Sequence, residues 1–464
     1  MRDTGTMSGL AVPSVDAFVY GRAPHPVRCG HGLAIGEGRV VPEINFTLAG
    51  MDIDESSFPA VRREYKQMIA ATVARAEQLH SPELLVEFET LPPMTVRPEW
   101  GLEITGLLAE ELAGAAGRSG LKCALRLTPN DVREFERPPL MRRGRYLEAM
   151  LQLFDGAGAA GADLVSIEST GGKELCDEAL MTADLRGVVF ALGVLGCRDM
   201  RYLWDVIVER CRTTDVIPAG DTACGFANTA MVLAEKGMIP RVFAAMVRVA
   251  AVPRSLAAFT AGAIGPSKDC AYEGPYIKAM TGAPISMEGK SAACAHLSPV
   301  GNIGQALCDC WSNESVQNVR LLSDSAPVVS VEQLVYDCRL MNAARGRGEE
   351  NALRLRDWLA DSDAGLDPQA YVLRPDVVYR IAGKLIEEPD PYAQTVRAVR
   401  CAVEELKAAD RDGLLRIGAR ERPWLERMEA AMEEIPETEG EMIEAMLPEI
   451  DRSICDPGEY GIEE

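Results

Sequence analysis

The chain has 464 residues, 47% of them hydrophobic, with 70 acidic against 48 basic side chains and a net charge of −22. That balance repels phosphate and excludes a nucleic-acid backbone or an anionic membrane as the expected partner. No apolar stretch reads as the roughly 18 residues of a bilayer span. The N-terminal residues lack the basic-then-apolar order of a signal peptide. Thirteen cysteines, an odd number scattered over a long chain, fit a reducing cytoplasm with free thiols better than a disulfide framework.

The first 40 residues contain Gly21, Pro24, Pro26, Gly30, Gly32, Gly36 and Gly38 and read as an irregular lead-in. Between Val41 and Lys290, eight short apolar runs alternate with longer segments of helical spacing. The runs are Pro42–Phe46, Leu84–Glu89, Lys122–Leu127, Leu164–Ser169, Val188–Leu192, Val216–Gly220, Ser255–Phe259 and Ile285–Glu288. Val61–Leu79, Leu102–Gly117 and Tyr202–Arg212 are expected to be helices between them, and Ala227–Ala251 is long enough for one or two more. Eight strand–helix alternations predict a parallel (β/α)8 TIM barrel over residues 41–312. Beyond about Asn313 the strand signal stops. Val331–Ala344, Glu349–Ala360, Pro375–Glu388, Ala393–Ala409 and Glu421–Glu434 predict an α-helical C-terminal extension over residues 313–464.

Three of these runs lead into a potential metal ligand beside a turn: Glu168 before Ser169-Thr170-Gly171-Gly172, Cys224 after Gly220-Asp221, and Cys270 after Gly262 and Gly265-Pro266. Taken singly, each cysteine is as readily a buried small apolar residue. Taken together at the carboxyl ends of parallel strands, the three make a candidate metal site with one open position, the pattern of catalytic zinc. Only four histidines are present, His25, His31, His80 and His296, and no pair has HExxH spacing, so such a site leans on thiolates and a carboxylate. Glu43, Glu87 and Glu89 sit at or near the ends of the first two runs, where acid chemistry at the barrel mouth and hydrogen bonding to loop backbone are both open to them. Cys308-Asp309-Cys310 reads as buried thiols in a packed loop, and His296 as a hydrogen-bonded loop residue rather than a proton donor. Gly171-Gly172-Lys173 and Gly262-Ala263-Ile264-Gly265 match no phosphate-binding signature and read as tight turns.

Longer segments resemble a known family. Pro42-Glu43-Ile44-Asn45-Phe46, Leu121-Lys122-Cys123-Ala124-Leu125-Arg126, Glu168-Ser169-Thr170-Gly171-Gly172-Lys173-Glu174 and Ala219-Gly220-Asp221-Thr222-Ala223-Cys224 are similar to the zinc subunit of methanol:corrinoid methyltransferases. So are Lys268-Asp269-Cys270 with Tyr272-Glu273, Met287-Glu288-Gly289-Lys290, Asp309 to Val316, Tyr336-Asp337-Cys338 and Asp367 to Tyr371. The resemblance runs from about residue 20 to residue 400. It implies a zinc-containing barrel that activates methanol and passes its methyl group to the cobalt(I) of a corrinoid carried by a partner protein. It also implies Glu168, Cys224 and Cys270 as the zinc ligands. None of the four histidines lies two residues after an aspartate, so the corrinoid is expected on another chain, with a homodimer or a hetero-oligomer with that chain as the assembly. Two thiolates and a carboxylate leave zinc formally anionic, so a neighbouring acid should matter. Asp221, in the loop of Cys224, is the leading expectation, with Glu43, Glu87 and Glu89 in reserve. The competing readings are a corrinoid-dependent methyltransferase for a methylamine or methoxy compound and a non-catalytic zinc–thiolate scaffold.

Overall fold

The computed structural model describes residues 9–47, 53–268, 270–316 and 325–463. Its strands are β1 (Arg22–Arg28), β2 (Ala34–Glu37), β3 (Val41–Thr47), β4 (Glu83–Glu89), β5 (Lys122–Thr128), β6 (Leu164–Ile167), β7 (Ile217–Asp221), β8 (Ser286–Glu288) and β9 (Cys310–Val316). Strands β3 to β9 form one curled parallel sheet in the order β7-β6-β5-β4-β3-β9-β8. The gap between its two edges is bridged by the segment before Cys270. Ile264 N–H donates to Pro218 O of β7 (2.9 Å), and Ser267 forms a parallel bridge with Ile285 beside β8. That segment stands where the eighth strand of a barrel would stand.

Six of the eight expected strands are present, and two are not. Val188–Leu192 is helical, split between the helix Leu185–Val189 and a wide π turn over Phe190–Gly196. Ser255–Phe259 lies inside the helix Val252–Ala261. Val188–Leu192 is buried throughout and Ser255–Phe259 is buried up to a half-buried Phe259, and a short apolar run does not distinguish a core strand from a core helix. The strand that replaces them in the sheet, β9, carries Ser312 and Asn313 among its residues, and its polarity hides it. It runs to Val316 and pairs with β3 on one side and β8 on the other. The lead-in also contains more order than expected, since β1 and β2 make an antiparallel hairpin.

Alternation along the strands divides the interior. Outward side chains such as Ile44, Phe46, Val86, Phe88, Leu125, Leu127, Val165 and Ile167 pack under the helices in the main core. Inward side chains change character from one end to the other. At the amino end Val41, Leu85, Ala124, Leu164, Ala219 and Cys310 form a small apolar cluster. Leu33 and Ile35 of the β1–β2 region join it, so the hairpin plugs the bottom of the barrel. One layer higher, Arg126 donates to Glu43 Oε1 (2.8 Å), Ser166 Oγ (2.7 Å) and Pro266 O (2.9 Å), all buried. Glu43 also accepts from Ser286 Oγ. Above that, the carboxyl ends present Glu87, Glu89, Glu168 and Glu288. The barrel therefore runs from apolar floor to acidic mouth, and only a cation or a set of fixed donors stabilises so many buried carboxylates together.

The stretch Arg241–Ala261 is long and apolar enough in composition to cross a bilayer, contrary to the expectation that none would be. It is two consecutive helices, Arg241–Ala250 and Val252–Ala261, with 94% of its apolar window buried inside the protein. The helical extension is present as Ala326–Gly346, Glu349–Ala364, Pro375–Leu385, Pro391–Arg411 and Arg422–Met432. The chain then returns to the barrel mouth, where Tyr460 OH accepts from Gly172 N–H (3.0 Å) and Glu459 accepts from Arg142 N–H (2.9 Å).

Candidate metal centre

Glu168, Cys224 and Cys270 converge, with one ligand atom from each lying within 4.8 Å of the others. Glu168 follows β6, Cys224 follows β7 and opens the π turn Cys224–Asn228, and Cys270 follows the bridging segment. Among the described residues this is the one cluster of three such side chains. Sulfurs on a tetrahedral zinc stand about 3.8 Å apart, from bonds of about 2.3 Å, so the spacing suits a single ion.

The chemistry of the three donors points the same way. The Cys270 thiol donates to Glu168 Oε1 (2.8 Å), placing a proton between two groups that a metal would hold. Burial drives the Cys270 thiol far above its usual range, helped by Cys224 and by the charge of Glu168. A hydrogen bond from Cys270 pulls the Cys224 thiol down, but burial and the charges of Glu168 and Glu288 carry it higher overall. A buried and a half-buried thiol forced to keep their protons beside a carboxylate are a poor arrangement by themselves. A divalent cation relieves it by displacing both protons.

Cross-links between the three loops fix this geometry. Asp221 Oδ1 accepts from Ser169 N–H (3.2 Å) in the Glu168 loop and from Thr222 N–H (2.7 Å) in the Cys224 loop, while Oδ2 accepts from Trp204 Nε1 (3.1 Å). Arg254, fully buried, donates to Ser169 O (2.5 Å) and Ser169 Oγ (2.7 Å) and to Thr222 O (3.2 Å), and stands 3.8 Å from Asp221. Glu273 Oε1 accepts from Ala223 N–H (2.7 Å) and Ser255 Oγ (2.6 Å), and Ala271 N–H donates to Thr222 Oγ1 (3.1 Å). The Cys224 and Cys270 loops are thus tied to each other.

The expected acids occupy different positions. Asp221 is buried with both oxygens engaged by the donors of Ser169, Thr222 and Trp204, and burial raises its carboxyl from 3.8 to about 6 against the pull of Arg254 and those hydrogen bonds. Glu43 is held one layer below the mouth by Arg126 and Ser286. Glu87 accepts from Thr128 Oγ1 (2.6 Å) and pairs with Lys268 Nζ (2.8 Å). Glu89, at the rim, accepts from Asn45 Nδ2 (3.1 Å) and lies 3.8 Å from the same ammonium. Lys268 also stands 3.5 Å from Glu168. Burial works against the Lys268 charge, but Glu87, Glu89 and Glu168 outweigh it and hold the ammonium charged.

Sequence reasoning missed Lys268, Arg254, Glu273, Glu288 and Asn228. A readable signal existed for Arg254, a lone cation within Val252-Pro253-Arg254-Ser255-Leu256-Ala257-Ala258-Phe259, and for Lys268, two residues before a ligand candidate. Cys308 and Cys310 are buried free thiols, and Asp309 between them pairs with Lys278 (2.9 Å). His296 Nε2 stands 3.3 Å from Glu288.

The arrangement matches known proteins over nearly its whole length. The family model described as methanol-cobalamin methyltransferase B subunit matches residues 4–461. The methanol–corrinoid protein co-methyltransferase of Methanosarcina barkeri strain Fusaro is 36% identical over 437 residues, covering 93% of each chain. A chain in the crystal structure of the methanol:cobalamin methyltransferase complex MtaBC from Methanosarcina barkeri superposes with a TM-score of 0.93 at 34% identity, covering 98% of this chain and 99% of that one. A sheet closed by a bridging segment, an acidic mouth and this length of agreement carry one conclusion: the chain belongs to the methanol-cobalamin methyltransferase B subunit family and is a methyltransferase of that kind.

Proposed function

We propose that this enzyme holds one zinc ion through Glu168, Cys224 and Cys270 and transfers the methyl group of methanol to a corrinoid carried by a separate protein. The observation that carries the reading is the convergence of those three donors at the carboxyl ends of the sheet. The names of the relative and of the complex, which speak of methanol, a corrinoid protein and a cobalamin methyltransferase, support the substrate and the acceptor. Bound there, zinc would supply Lewis acidity, drawing electrons out of the C–O bond of a small alcohol.

The chain's own residues do the rest. Asp221 and Arg254 hold the Glu168 and Cys224 loops in register. Lys268 offsets the negative charge of the donor set and keeps Glu168 oriented. The acid is placed at Glu89, the most exposed of the three candidate glutamates and so the one open to take up a proton from solvent and pass it to the departing oxygen. Exposed apolar side chains on three βα segments around the mouth, Val96, Phe135 and Leu297, suit the docking of the corrinoid protein. Thirteen free cysteines suit a reducing cytoplasm. Residues 9–40 then serve as floor, the barrel as reaction chamber and the later helices as its outer support.

The test is metal content alongside methyl transfer to free cob(I)alamin, across methanol, methylamines and methoxy compounds. Cys224→Ala and Cys270→Ala should lose most zinc and most activity, whereas Cys176→Ala, a buried thiol outside the cluster, should keep both. Full zinc in a folded Cys224→Ala protein would remove the ligand assignment, and a methylamine turned over faster than methanol would replace the substrate.

A further inference from the structure

Asn228 is tied to the proposed centre by one end only. Its Nδ2 donates to Cys224 Sγ at 3.2 Å. The residue is 5% exposed. Its Oδ1 is buried with no hydrogen-bond partner among the described residues. A carboxamide used as structural mortar satisfies both its ends, because a buried unpaired oxygen is unfavourable. Asn228 gives up that satisfaction while keeping its N–H on sulfur.

The local backbone explains how. Cys224–Asn228 is one π turn rather than an α turn, and such single wide turns recur at functional sites. Thr229 caps it by donating to Gly225 O (2.8 Å). The amide orientation is dictated by charge. Once Cys224 is a thiolate, Oδ1 against sulfur would be repelled, so the N–H must face it.

We propose that Asn228 is a positioning residue that tunes the metal through the Cys224 thiolate, which rests on the zinc reading above. Two thiolates and a carboxylate place three negative charges on a divalent ion. A hydrogen bond to a charged acceptor is stronger than a neutral one, and it draws density from sulfur that would otherwise flow to the metal. The ion is left more electrophilic, with no change in ligand count or net charge. Loss of a hydrogen bond of this kind around a metal's ligands typically costs about 10–100-fold in metal affinity or activity. A neutral amide does this without the repulsion or titration that a charged donor would bring.

The experiment loads the full-length chain with Co2+ as a coloured substitute for zinc and records the thiolate-to-cobalt charge-transfer band. Asn228→Leu removes the donor, and its band should move to lower energy with cobalt still bound one per chain. Asn228→Gln should return the band part of the way. An Asn228→Leu band superimposable on the wild type would overturn the proposal. Should Asn228→Leu fail to fold, Asn228→Asp is nearly isosteric and sets a carboxylate against the sulfur. Its zinc affinity, measured by competition with a chromophoric chelator, should fall at least tenfold, and an unchanged affinity would equally overturn the proposal. A wild-type chain that takes up neither metal would instead bring down the zinc reading and this inference with it.

Discussion

Asp221 illustrates how much a single side chain depends on neighbours from other loops. Its place three residues before Cys224 invites a catalytic reading, yet its oxygens are spent on Ser169, Thr222 and Trp204. The paired substitutions Glu89→Gln and Asp221→Asn should separate the roles. Glu89→Gln is expected to keep zinc and lose roughly 10²–10⁴-fold in methyl transfer, the range of a lost general acid. Asp221→Asn is expected to lose stability first, about 1–3 kcal/mol for a donor left facing an amide, with a smaller loss of rate. An Asp221→Asn protein of normal stability and a rate down by more than 10²-fold would restore Asp221 as the acid. A pH experiment adds a second handle. Burial raises the Asp221 carboxyl from 3.8 to about 6, against the pull of Arg254 and its hydrogen bonds. Between about pH 4 and 6 the unfolded chain has released this proton and the folded chain has not. Stability conferred by the site therefore falls as pH rises through that window and is level above it. Chemical denaturation from pH 4 to 7 should show the wild type losing stability relative to Asp221→Asn across that interval. Parallel curves would contradict the assignment.

At the scale of elements, the decisive piece is the bridging segment before Cys270. It is not a strand, yet it fills the place of one between β7 and β8 and delivers Lys268 and Cys270 to the mouth. Gly220 of β7 lies beside it, under the ring of Phe259. With φ +135, its missing Cβ would lie 3.0 Å from Phe259 Cζ and 3.4 Å from Ser267 Cα. Gly220→Ala combines an unfavourable backbone with that contact and should cost about 1–3 kcal/mol, read as a shift in denaturation midpoint. Phe259 must give while Ser267 stays in ordinary contact, so the strain falls on the helix Val252–Ala261 that carries Arg254, and zinc affinity should fall in the same variant. A stable Gly220→Ala protein with unaltered zinc binding would show that the closure tolerates displacement. Helix and strand were hard to tell apart here for a physical reason. Val188–Leu192 and Ser255–Ala258 are apolar because they lie on buried helical segments, and β9 is partly polar because it helps to line a polar mouth.

At the scale of the molecule, the apolar floor, the buried Glu43–Arg126 layer and the acidic mouth give the barrel a direction. The three candidate metal donors are gathered at the carboxyl end, where loops of different strands meet. The tail returns there too, with Tyr460 on the Glu168 loop, which joins the helical extension to the centre. No histidine carries the aspartate spacing that a base-off corrinoid module needs. The purified chain is therefore expected to lack corrinoid absorption and to turn over only when given a corrinoid protein or free cob(I)alamin. A stoichiometric corrinoid spectrum on the isolated chain would contradict this.

Several properties were legible from residue order alone. Leu84–Glu89, with Val86 and Phe88, is long and β-rich enough to announce a strand, and the turns beside Glu168, Cys224 and Cys270 mark where chemistry belongs. Separations of 56 and 46 residues between the three donors could be read as convergence only by assuming a closed parallel sheet. Tertiary structure decided the rest. Which donors and cations surround a carboxylate is set by other segments of the chain, as Ser169 and Trp204 at Asp221 and Asn45 and Lys268 at Glu89 show. Lys268 and Asn228 gain their meaning only from atoms placed within about 3.5 Å by folding. Local pattern specifies what an element can be, while burial and cross-loop hydrogen bonds, set by distant residues, specify what each side chain can do.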